Sequence, residues 1–178
     1  VSFGECLAAA NLLPAGTLSK LLAATPSPID LAANLVGRKI LRKEELAPAI
    51  RMLVERAVVT AFSWPSGTYD VVPGDAPPGF FDADILFTFE CILKGIGRMA
   101  YFAPLKEALL ALPGRLRLNP TAFIPVEKLA LKPHDGYILS RIDGTMRLDE
   151  ITMVMPPGEE DESLQFIYGL AVLGIVEF

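Results

Sequence analysis

The stretch 32-AANLVGRKILRKEELAPAI-50 decides how the first part of the chain is read, because it repeats 4-GECLAAANLLPAGTLSKLL-22 at a constant offset of 28 residues. Leu7, Leu12, Leu13, Leu18 and Leu22 fall over Leu35, Ile40, Leu41, Leu46 and Ile50. Self-similarity at a fixed period marks a repeated supersecondary unit. Each copy reads as a short helix, a tight link and a second helix. Pro14 lies near one helix start, and Pro48 is tolerable only where its helix has barely begun. Two helical hairpins are expected.

The second copy runs on into a long amphipathic helix. Leu46, Ile50, Leu53, Val54, Ala57, Val58 and Phe62 keep a helical spacing, while Arg51, Glu55 and Arg56 lie elsewhere. The helix ends at 63-SWPSG-67, and 68-TYDVVP-73 alternates like a short strand. The Pro- and Gly-dense 73-PGDAPPGF-80 reads as a linker and domain boundary. Beyond it Asp82 and Asp84 open a helix carrying Leu86, Phe89, Ile92, Leu93 and Ile96, which Gly95 and Gly97 weaken. Residues 103–112 make another helix, and 113-PGRLRLNP-120 is expected as an edge strand with Arg115 and Arg117 outward.

From Pro133 the pattern shortens. A helix runs through Ile142, and the Asp-Gly of 138-ILSRIDGTMRLDEI-151 makes a tight turn between helices. A helix over 148–154, a Pro-Pro-Gly break, a helix over 159–173 and a strand over 175–178 follow. That order reads as a winged-helix-like module. The predicted fold class is mainly α, an α+β chain with a few short strands, divided into 1–74, 81–132 and 133–178. Ile138, Ile142, Ile151, Leu164, Ile167, Leu170, Ala171 and Ile175 are the expected core of the last segment.

The hydrophobic fraction is 52% and the mean hydropathy +0.42, so apolar surface is expected to be covered by a protein partner, a flanking domain or a homo-oligomer. Charges interrupt every apolar run before the roughly 20 residues a membrane-spanning helix needs. No signal peptide is read, and a fragment of a longer protein is one expectation. Cys6 and Cys91, both in apolar stretches, read as small core residues in a reducing cytoplasm. The net charge of −5 gives no footprint for nucleic acid, and residues 133–178 hold nine acids against Arg141 and Arg147.

No catalytic, metal-ligating or cofactor-holding set is assigned. His134-Asp135 fits a helix start, with Asp135 complementing the dipole. Glu159, Glu160, Asp161 and Glu162 read as a solvated helix terminus, and Trp64 as a plug at a domain edge. The ligand candidates are Arg38, Lys39, Arg42 and Lys43, an anion-binding patch in the link of the second hairpin beside Glu44 and Glu45.

Three resemblances follow from these residues. The repeat is similar to the tandem motif at the N-terminus of secretion and pilus ATPases of the MshE kind, which bind cyclic di-GMP. Gly4, Leu7, Leu12, Leu13, Leu18 and Leu22 match in one unit, and Leu31, Leu35, Val36, Ile40, Leu41, Leu46 and Ile50 in the other. Ser2 and Asp30 stand where that motif has Arg, Thr25 and Leu53 where it has Gln, and Asn11 and Lys39 where it has its middle Gly. The stretch 54-VERAVVTAFSWPSGTYDVVPG-74 resembles the end of PATAN-type domains of bacterial multidomain signalling proteins. Residues 138–151 with 164-LQFIYGLAVLGIVEF-178 resemble winged-helix modules of the PqqD peptide-chaperone type. Together they imply a non-enzymatic protein-interaction or regulatory module in the cytoplasm, with a cyclic-dinucleotide sensor as the alternative.

Overall fold

The computed structural model describes residues 2–25, 27–70 and 85–178. Among them are nine α-helices and one three-stranded antiparallel sheet, so the chain is mainly helical with a small β component. The described residues divide into two compact units, 2–58 with 68–70 and 59–67 with 85–178, a division that falls inside one helix. The predicted linker 73–80 lies outside the described residues, as do Asp82 and Asp84. Thr68–Asp70 is without regular structure, and the rest of the predicted strand 68–73 is not described.

The first unit is built from α1 (Phe3–Ala9), α2 (Ala15–Ala24), α3 (Pro28–Gly37) and the start of α4 (Lys43–Ala61). The repeat register holds in the backbone, since α2 and α4 begin 28 residues apart. At the end of α1, Asn11 has φ 53°, and at the end of α3, Lys39 has φ 55°. Both turns carry the same pair of bonds. The amide of Leu12 donates to Leu7 and that of Asn11 to Ala8, at 3.1 and 3.0 Å; the amide of Ile40 donates to Leu35 and that of Lys39 to Val36, both at 2.9 Å. This pairing closes a helix C-terminus around one left-handed residue, a position that glycine fills most easily. Buried residues keep the same register, with Phe3, Leu7 and Leu18 answering Leu31, Leu35 and Leu46. Pro48 lies inside α4 and is exposed, so the missing amide leaves the Glu44 carbonyl without its helical partner.

The second unit holds α5 (Ile85–Ile96), α6 (Ala103–Leu110), β1 (Arg115–Leu118), α7 (Pro133–Leu139), β2 (Asp143–Arg147), α8 (Leu148–Met153), α9 (Glu160–Val172) and β3 (Val176–Glu177). A 3-10 turn covers Val126–Lys128. The sheet order is β2-β1-β3, both pairings antiparallel. The strand expected at the edge is therefore central. Arg115 and Arg117 do face solvent while Leu116 is fully buried. Residues 81–132 and 133–178 do not separate, because Phe89, Phe102, Leu109, Leu116, Ile124 and Leu129 share one core with Ile138, Ile142, Ile151, Leu164, Ile167, Leu170 and Ile175. Ala171 is only half-buried and lies outside that core. Gly95, expected to weaken α5, is buried where an added Cβ would collide with the Phe62 ring, so it provides a close approach.

Asp143-Gly144 is not a turn between helices, since it opens β2. Between the pairs Arg115↔Arg147 and Arg117↔Asp143, β2 advances four residues while β1 advances two, so β2 bulges. Gly144 sits in the bulge with φ 86°. An added Cβ would meet only Arg117 Cβ at 3.8 Å, so the obstacle to a side chain is the backbone conformation.

Gly144→Ala is accordingly expected to lower unfolding free energy by roughly 1 kcal/mol or more in a urea titration. Lys39→Gly should change it in the opposite sense, raising it by up to about 1 kcal/mol, because relief at positive φ outweighs the backbone entropy glycine loses.

Candidate functional site

Arg38, Lys39, Arg42 and Lys43 are all exposed along the link between α3 and α4. With Val36, Ile40, Leu41, Glu44 and Glu45 the last three line an open depression of about 480 Å³. The positive φ of Lys39 turns the chain, but the amides of Lys39, Ile40 and Leu41 donate back to the carbonyls of Val36 and Leu35. They are not presented to a ligand. At the start of α4, Glu45 takes the position an anion would occupy. Its carboxylate accepts from the Arg42 amide at 2.7 Å and from the Arg42 guanidinium at 2.9 Å. The Arg42 side chain and then its amide hold the Glu45 carboxyl below its ordinary range. The structure thus brings the four basic residues together while one of them is already engaged by an acid.

His134, read from sequence as a helix-start residue without a partner, does have two. Its Nδ1 lies 2.9 Å from Glu159 Oε2 and its Nε2 3.2 Å from Ser163 Oγ. Serine, imidazole and carboxylate in this order have the composition of a hydrolase triad. Burial and bond direction point elsewhere. Ser163 is fully buried, and its hydroxyl donates to the Glu159 carbonyl at 2.8 Å. With that proton donated to its own helix, Ser163 has none to give to Nε2, whereas a base that activates a nucleophile must accept the hydroxyl proton. The group is a clamp between α7 and the start of α9. Its serine and glutamate lie 29 and 25 residues beyond the histidine, and nothing in their local pattern singles them out.

The acidic run is more than a solvated terminus. Glu159 meets His134, Asp161 pairs with Lys106 of α6, Glu162 pairs with Lys132 at 3.2 Å, and Glu160 accepts from the Gly158 amide. Asp135 accepts from the Lys132 amide at 2.8 Å, as expected of an acid in the first turn of α7. Asp143 accepts from the Thr145 hydroxyl and from the Thr145 amide at 2.9 Å, and these two bonds, in that order, hold its carboxyl below the ordinary range. Trp64, expected as a plug, is 63% exposed. Cys6 and Cys91 are buried and not disulfide-bonded, and burial pushes the Cys6 thiol up. Among the described residues, no group of three or more His, Cys, Asp and Glu is placed to hold a metal ion, and no helix is long and apolar enough to cross a membrane.

Because Ser163 is buried and donates its proton to its own helix, a fluorophosphonate probe is expected to leave it unlabelled. Ser163→Ala should cost about 1 kcal/mol in a chemical melt. The two depressed carboxyls carry a sign. Their contribution is complete above the unfolded carboxylate range of about pH 4 and is lost as pH falls through the folded values. The urea midpoint should therefore decline more gently on acidification in Glu45→Gln plus Asp143→Asn than in the parent. Comparison with protein-family models, curated proteins and solved structures finds no match to this chain.

Proposed function

We propose that the chain is a non-catalytic interaction or regulatory module of a bacterial multidomain signalling protein. One observation carries the reading. The second unit buries Phe89, Phe102, Met155 and many aliphatic side chains in its core, yet leaves Phe123 80% and Met153 81% exposed to solvent. Large apolar side chains gain free energy when removed from water, and a recognition surface is one place where their exposure is useful. The polar groups support the same reading, since the clusters with catalytic composition are spent on contacts between helices. The resemblance of residues 54–74 to PATAN-type domains supplies the signalling context.

A second reading, cyclic-dinucleotide sensing, is favoured by the matched left-handed turns at Asn11 and Lys39 and by the basic link beside the second of them. Glu45 weighs against it, because a phosphate near Arg42 would have to displace that carboxylate.

Photo-cross-linking decides the first reading. With benzoylphenylalanine at position 123 or 153 of the full chain in bacterial cells, discrete higher-mass adducts are expected. Their absence at both positions would remove the interaction function. For the second, calorimetry with cyclic di-GMP is expected to give no heat; a heat that disappears in Arg38→Ala plus Arg42→Ala would establish nucleotide binding instead.

A further inference from the structure

Tyr137 of α7 and Arg141 of the turn after it meet the chain at Val154, and Met153 precedes Val154 as the last residue of α8. The Tyr137 hydroxyl donates to the Val154 carbonyl at 3.3 Å, which ties the chain after α8 to α7. The Arg141 guanidinium lies 4.9 Å above the Tyr137 ring centre and donates to the Tyr137 oxygen at 3.4 Å. Val154 is 43% exposed, and Met153 beside it is the most exposed methionine described. Beneath them Ile138 and Ile151 are fully buried, so the surface rests on packed helices.

The charges of residues 133–178 give this surface its sign. Asp135, Asp143, Asp149, Glu150, Glu159, Glu160, Asp161, Glu162 and Glu177 each have a partner inside the protein. Arg147 is held by Asp149 through two bonds of 3.0 and 2.9 Å. Among the described residues Arg141 bonds only to the tyrosine; the Asp143 carboxylate acts on it through space without an ion pair, and is itself held by Thr145. A guanidinium stacked on an aromatic ring keeps its planar donor edge available for a carboxylate. The acids are spent locally, and those more than about 8 Å away are screened at physiological ionic strength.

We propose that Tyr137, Arg141, Met153 and Val154 form a docking site for a peptide segment of a protein partner. The segment carries an aspartate or glutamate beside a large apolar residue. The carboxylate pairs with Arg141, while the apolar side chain covers Met153 and Val154. Tyrosine, arginine and methionine are the residue types that interfaces favour, and methionine adapts its shape to the group it meets. The inference rests on the interaction reading above and adds the place and the partner chemistry.

The probe is a phage-displayed library of random peptides panned against the full chain. Enriched sequences are expected to place Asp or Glu next to a large apolar residue, and to bind Arg141→Ala and Met153→Ser at least about tenfold more weakly than the parent. Both substitutions fall on exposed side chains, and thermal melts confirm that the fold is kept. Enriched peptides that are basic, or that bind both variants as tightly as the parent, overturn this site. So does a library that yields no enrichment. In each case the cross-linking at positions 123 and 153 still decides the interaction reading.

Discussion

The second unit depends on the pairing of one four-residue strand with two strands that come after it in sequence. β1 is the neighbour of both β2 and β3, and neither has another strand beside it among the described residues. Strands this short have no independent stability. They persist because Leu116 and Val176 lie in the core with Ile138, Ile167 and Leu170, so the sheet and the helices are stabilised together. The register Leu118↔Val176 closes a long loop, whose entropic cost grows only slowly with length and is offset by that burial. Helices α7, α8 and α9 lie within the same loop.

The same economy governs the charges. Exposed ion pairs contribute about 0–1 kcal/mol each, so the partners of Glu159, Asp161 and Glu162 do little for total stability. Their effect is orientation. The start of α7, through Lys132 and His134, and helix α6, through Lys106, are joined to the start of α9. An acidic segment that looks like an open charge cluster in sequence thus becomes an internal fastening, and Arg141 is left to face outward.

How much of this was legible in the sequence depended on the range of the contacts involved. The helical hairpins could be read because a 28-residue offset repeats apolar spacing, and spacing survives in a linear string. Asn11 and Lys39 were harder. They occupy the site of a motif glycine and looked like departures, yet both adopt the left-handed backbone that glycine would take. At Gly144 the positive φ was foreseen from the Asp-Gly pair, whereas the bulged strand around it was not, since its partner Arg117 lies far upstream. The clamp of His134, Glu159 and Ser163 was missed for the same reason. Its members are ordinary helix-start residues until α7 packs on α9. Merging of the middle and last segments also rests on contacts of long sequence separation, such as Gln165 donating to the Met99 carbonyl.

The two surfaces considered for recognition differ in how much of their bonding capacity is already used. In the link between α3 and α4, the amides that could cradle an anion close the end of α3, and Arg42 is bonded twice to Glu45. An incoming anion there exchanges one set of charged contacts for another, and the exchange yields only the difference. At Tyr137 and Val154 the exposed groups are apolar side chains and a guanidinium whose partner is a ring. A ligand arriving there displaces water from apolar surface and supplies a carboxylate without breaking an existing ion pair. Desolvating Arg141 has a cost, but the bidentate geometry open to a carboxylate compensates it better than water does. The balance of broken against formed interactions favours recognition of a peptide at the second surface.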